Sequence, residues 1–93
     1  MTPSMMSRIR ISDDVLCQEL SGEAVLLNLK TGVYLGLDPV GTRVWQLFSE
    51  HDLLADILTV LLAEYEVPEE RCTNDLIALV SQMQQHALVT ISE

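Results

Sequence analysis

Two histidines and two cysteines, His51, His86, Cys17 and Cys72, are the side chains best suited to hold a metal or attack a substrate. Protein zinc sites are built from closely spaced ligand pairs such as Cys-x2-Cys or His-x3-His. No such pair occurs, so the histidines read as surface residues, the cysteines as core residues, and no metal site is expected. A cysteine nucleophile needs its histidine within hydrogen-bond reach. Cys72 and His86 are 14 residues apart on what reads as one helix, which is about 21 Å along its axis at ~1.5 Å per residue. They cannot touch. Cys17 could meet either histidine, but no oxyanion-binding or glycine-rich loop supports it. Gly22, Gly32, Gly36 and Gly41 are scattered singly and form no phosphate-cradling loop. Catalysis is therefore not expected, no catalytic residue is assigned, and no cofactor is called for.

The totals narrow the remaining classes. Five basic against fourteen acidic residues leave a net charge of −9, which opposes binding to a phosphate backbone, where affinity comes mostly from Lys and Arg. Such a surface suits solubility or a basic partner. With 48% apolar residues in 93, the chain reads as one packed domain over 1–93, with residues 1–7 frayed. No apolar run approaches the ~20 residues a membrane span needs, and no apolar signal-like core follows the first charges. A cytoplasmic protein without a membrane partner is expected, with Cys17 and Cys72 as free thiols.

What is left is the chemistry of the main chain. Val25 to Leu37 reads as two short strands joined by a turn at Lys30-Thr31-Gly32, with Gly32 where a left-handed backbone is needed. The second strand, Val33 to Leu37, runs at once into Asp38-Pro39, a helix start. It has no later partner nearby and should lie at a sheet edge. A free edge carrying Tyr34 and Gly36 can accept an extended peptide as an added strand. The plainer alternative is a tolerated edge with no task.

The elements that must position this edge follow in order. Arg8 to Ser12 alternates as a short extended piece, and Val15 to Leu20 reads as the first strand of a meander with Val25 to Leu29 in its middle. That central strand is apolar on nearly every residue, as if both sheet faces were covered. Asp38 caps a first helix ending near Ser49-Glu50-His51, and Asp52 caps a second that runs to Tyr65. Pro68-Glu69-Glu70 opens a third, reaching His86 or Ala87. Leu88 to Ile91 is a last strand or an extended end. The fold class is α+β, winged helix-turn-helix-like: a three-stranded antiparallel meander followed by three helices. That outline would suggest DNA, but the third helix carries Glu69, Glu70 and Asp75 against Arg71, with no basic stripe, so no nucleic-acid partner is expected.

Leu26-Leu27-Asn28-Leu29, then Thr31-Gly32-Val33-Tyr34-Leu35-Gly36-Leu37, then Gly41 and Trp45 resemble the core signature of the pyrroloquinoline quinone biosynthesis protein D family. That family supplies the RiPP recognition element, a winged-helix-like binder of leader peptides. The Tyr-Leu-Gly-Leu-Asp-Pro-Val-Gly-x-x-Val-Trp wording is most similar to the stand-alone leader binders of lasso-peptide clusters, whose cysteine leader peptidase is a separate chain. The resemblance covers roughly Val15 to Ile91. One departure is Ser49-Glu50-His51-Asp52 where many relatives have a glycine. The resemblance implies a leader lying antiparallel along the third strand, in a groove walled by the third helix. Val33, Tyr34, Leu35 and Gly36 would supply the edge. Asp75, Leu76, Leu79 and Met83 are candidates for the wall, chosen by helical phase. The implied function is a non-catalytic adaptor handing its peptide to that peptidase and to a cyclase. The alternatives are a peptide chaperone for quinone-cofactor synthesis and a winged-helix transcription regulator. The free edge would also allow a homodimer.

Overall fold

A computed structural model describes residues 2–92; Met1 and Glu93 lie outside the described residues. Three strands, β2 (Val15–Leu20), β3 (Glu23–Asn28) and β4 (Tyr34–Gly36), form an antiparallel meander in the order β2-β3-β4. Three helices follow: α1 (Pro39–Leu47), α2 (Leu54–Glu64) and α3 (Glu69–Gln85). This is the α+β arrangement expected from the sequence. Ser21 and Gly22 form the first hairpin loop, both with positive φ (55° and 80°), the twist that two-residue hairpins favour. Gly32 closes the second turn with φ 76°, its N–H donating to the Asn28 carbonyl at 2.8 Å.

The central strand differs from expectation. Ala24, Leu26 and Asn28 are buried, but Val25 is 46% exposed and Leu27 only half-buried. Side chains alternate across a strand, and the helices cover one face only. The opposite face keeps Leu16, Leu20, Val25 and Tyr34 in solvent. An unbroken apolar run did not mean burial on both sides.

A second sheet pairs β1 (Arg8–Ile11) with β5 (Val89–Ser92), Arg8 opposite Ser92 and Ile11 opposite Val89. The short extended piece and the tail, ambiguous separately, complete one another. Residues 2–7, expected to fray, are instead held: Pro3 and Ser7 are buried. Their backbone explains a further correction at α2. Asp52 does not cap that helix; Leu53 stands at the cap without a side-chain bond. The first free helical N–H groups, of Leu54 and Ala55, donate to the carbonyls of Ser7 and Met5, each at 3.0 Å. Asp52 is thereby released to accept from the Arg8 guanidinium at 3.0 Å.

The core lies between the inner sheet face and the helices, filled by Leu26, Leu35, Val44, Leu47, Leu54, Ile57, Leu61, Val80 and Met83, with Trp45 edge-on to Phe48 at 5.8 Å. Thr42 accepts from the Ala24 N–H at 2.8 Å and locks α1 to β3. Arg43 grips Glu64 in a two-pronged pair at 2.7 to 3.2 Å, tying α1 to α2 and holding the Glu64 carboxyl below its usual range.

A free strand edge beside an apolar groove

β4 pairs with β3 alone and is the last strand of its sheet. Within an antiparallel ladder, successive residues turn their N–H and C=O groups to opposite sides. The Val33 carbonyl accepts from Asn28 and the Leu37 N–H donates to Ala24, so odd-numbered residues face β3. Tyr34 and Gly36 therefore aim their N–H and C=O groups outward, four main-chain groups with no strand opposite. The side chains alternate too: Leu35 is buried in the core, while Tyr34 is 68% exposed and Gly36 lies open. A Cβ at Gly36 would meet nothing within 4 Å, so the sheet face is open at this residue.

The strand ends where a groove of about 420 Å³ begins. Its walls are the start of α1 (Asp38, Val40, Gly41, Val44), the end of α2 (Leu61, Tyr65, Val67) and the first half of α3 (Arg71, Cys72, Asp75, Leu76, Leu79). Asp38 joins strand to groove. Its Oδ1 accepts from the Gly41 N–H at 2.7 Å and fixes the first turn of α1 directly behind β4. A Cβ on Gly41 would stand 3.2 Å from that oxygen and 3.4 Å from Leu37, so a bare residue keeps the turn tight.

The groove brings together three of the four wall residues chosen by helical phase. Leu76 (3% exposed) forms its floor, half-buried Leu79 its flank, and Asp75 its rim. Met83 does not join them. It is fully buried and belongs to the core. Phase identified the apolar side of α3 but not where core passes into groove. The contributions of Asp38, Val40 and Gly41 had a sequence signal in the Asp-Pro-Val-Gly helix start that follows the edge strand. Cys72 shares the helical phase of Leu76 and Leu79 on α3, whereas Tyr65 and Val67 had no sequence signal, because only the packing of α2 against α3 delivers them.

The chemistry of this site is that of binding. Burial, reinforced by Asp75, pushes the Cys72 thiol above its ordinary range, so it lines the groove as a neutral, weakly polar wall. Burial and then Glu19 raise the Cys17 thiol as well, a hydrogen bond with Trp45 only partly offsetting them. Cys17 lies on β2 opposite Leu26, outside the groove. His86 terminates α3 and His51 follows α1, neither in the groove. Among the described residues no group of three His, Cys, Asp or Glu side chains could hold a metal, and no helix is long and apolar enough to cross a membrane. Carboxylates of Asp38 and Asp75 edge the groove, with Arg71 3.9 Å from Asp75.

Two solved structures share this architecture. One, described as TbiB1 in complex with the TbiA(beta) leader peptide, is 36% identical and superposes with a TM-score of 0.80 over 86% of this chain and 93% of that one. The other, described as lasso peptide synthetase B1 complexed with the leader peptide, is 23% identical, with a TM-score of 0.79 over 89% of this chain and 98% of that one, a likeness of fold. No curated protein matches the sequence significantly. The family model described as Coenzyme PQQ synthesis protein D (PqqD) matches residues 23–89, which span β3, β4, all three helices and the first residue of β5. With the edge, the groove and the order of elements in agreement, the chain belongs to the PqqD family.

Proposed function

We propose that the chain is a non-catalytic adaptor for the leader region of a ribosomally made precursor, of the lasso-peptide kind. An extended leader adds antiparallel to β4, exchanging hydrogen bonds with Tyr34 and Gly36, and sends an apolar side chain into the groove over Leu76 and Leu79. The observation that carries this reading is a vacant strand edge whose chain runs on, two residues past β4, into Asp38 at the lip of an apolar groove. The leader-bound states named for both structural relatives support it. The adaptor then presents its cargo to a separate cysteine leader peptidase and to a cyclase in the cytoplasm. The acidic surface attracts basic segments of the leader or of those enzymes. Without peptide, the same edge can pair with a second copy of the chain.

Titration calorimetry with a synthetic leader tests this. Gly36→Pro removes one outward N–H where there is room for the ring, and about a tenfold loss of affinity is expected in a variant with unchanged circular dichroism. Leu35→Pro would be the wrong probe, since that residue faces β3 and the core. Single N-methylation along the leader should weaken binding at alternate amides only. Added leader should also shift any dimer to monomer in light scattering. Full affinity for every methylated peptide and for Gly36→Pro would exclude strand addition. The family description favours a second reading, peptide chaperoning for coenzyme PQQ synthesis; tighter binding of a PQQ precursor than of a lasso leader would select it.

A further inference from the structure

Asn28, the last residue of β3, is 3% exposed, and its side chain joins two elements nearly sixty positions apart. Its Oδ1 accepts from the N–H groups of Lys30 and Thr31 at 2.9 and 3.2 Å, inside the turn that leads to β4. Its Nδ2 donates to the carbonyls of His86 and Ala87 at 3.1 and 3.2 Å, beyond the end of α3. A carboxamide has two donor hydrogens and two acceptor lone pairs, and all four are used. The reversed amide would set donors against donors, so the partners dictate its orientation.

The helix end that Asn28 grips is unusual. The Leu88 N–H bonds the Met83 carbonyl at 2.9 Å and the Ala87 N–H bonds the Gln84 carbonyl at 3.0 Å, the double closure that normally has glycine at the left-handed position. Ala87 occupies it instead, at φ 55°. A non-glycine residue persists there only when its surroundings over-determine it. The two bonds from Asn28 supply that constraint.

We infer that Asn28 is a positioning residue for peptide capture, clamping the turn of the edge hairpin to the end of α3 and so setting the separation between β4 and the helix that walls the groove. This rests on the adaptor reading. At its other end the strand runs into the Asp38 cap and the close approach of Gly41 to Leu37, which fix the start of α1, another wall of the groove. A peptide entering a channel of preset width loses less freedom than one that must gather its walls together. Asn28 does not itself line the groove; its effect passes through the spacing of the two elements.

The test separates spacing from stability. Asn28→Asp keeps acceptors for Lys30 and Thr31 but turns a carboxylate toward the carbonyls of His86 and Ala87. It should lower both the melting temperature and leader affinity, the latter about tenfold, by loss of two buried hydrogen bonds to the clamp. Ala87→Gly relieves the left-handed strain, so in the double variant the melting temperature should recover while affinity stays low. Hydrogen exchange in the double variant should be faster than in the unaltered chain at Leu88, whose N–H bonds the Met83 carbonyl, and unchanged at Leu61. Asn28→Ser in the Ala87→Gly background serves the same purpose if the aspartate variant does not fold. Recovery of affinity together with melting temperature, or wild-type affinity in either substituted chain, overturns the positioning role. Failure of the unaltered chain to bind leader overturns the adaptor reading, and this inference with it.

Discussion

At the scale of single residues, Cys72 is the most informative side chain in the groove. Burial and the neighbouring Asp75 both favour the neutral thiol, so at pH 7 it should react slowly with iodoacetamide. A leader seated over Leu76 and Leu79 should slow Cys72 further and leave Cys17 unaffected, read by mass spectrometry of labelled peptides. Protection of Cys17 instead of Cys72 would place the peptide elsewhere. The sign of the pH effect follows from the same shifts. Both thiols are raised in the folded chain, so the stability they contribute is complete below the ordinary thiol range. It is lost as pH rises through their elevated values, and Cys72→Ala should flatten the part of that alkaline decline due to Cys72.

At the scale of elements, α3 has two apolar surfaces with separate tasks. Met83 fills the core and Leu79 flanks the groove. Met83→Ala should cost about 2–5 kcal/mol of stability by leaving a cavity. Leu79→Ala should cost far less stability and several-fold in leader affinity, so that denaturation and calorimetry order the two variants oppositely. Equal effects of both on affinity would mean that the wall extends to Met83. Much of this layer was legible in the sequence. Gly32, the Val33–Leu37 run and Asp38-Pro39 marked the hairpin, its edge and the next helix, because each is a local choice of backbone. Asp52 was misleading because its rival caps came from Met5 and Ser7, distant in sequence and contributing only carbonyls. The central strand misled because apolar composition does not record which face the helices cover. The α2 side of the groove, Tyr65 and Val67, was hidden because it arises only when helices pack.

At the scale of the whole molecule, the charge and the apolar surface work against each other. A net charge of −9 keeps chains apart, while Leu16, Leu20, Val25 and Tyr34 expose an apolar sheet face beside the vacant edge. Salt that screens the repulsion should therefore favour self-pairing at β4 in the absence of peptide.

The pairing of β1 with β5 brings Arg8 across from Ser92, so the first and last strands lie side by side, in a sheet separate from that of β4. A few glycines could splice one to the other, and the chain could be reopened between α1 and α2 near Glu50. Such a circular permutant should keep its leader affinity in calorimetry, provided residues 2–7 still reach α2. The recognition surface is thus separable from the way the polypeptide is threaded, and the module can be grafted into a larger protein as an insertion.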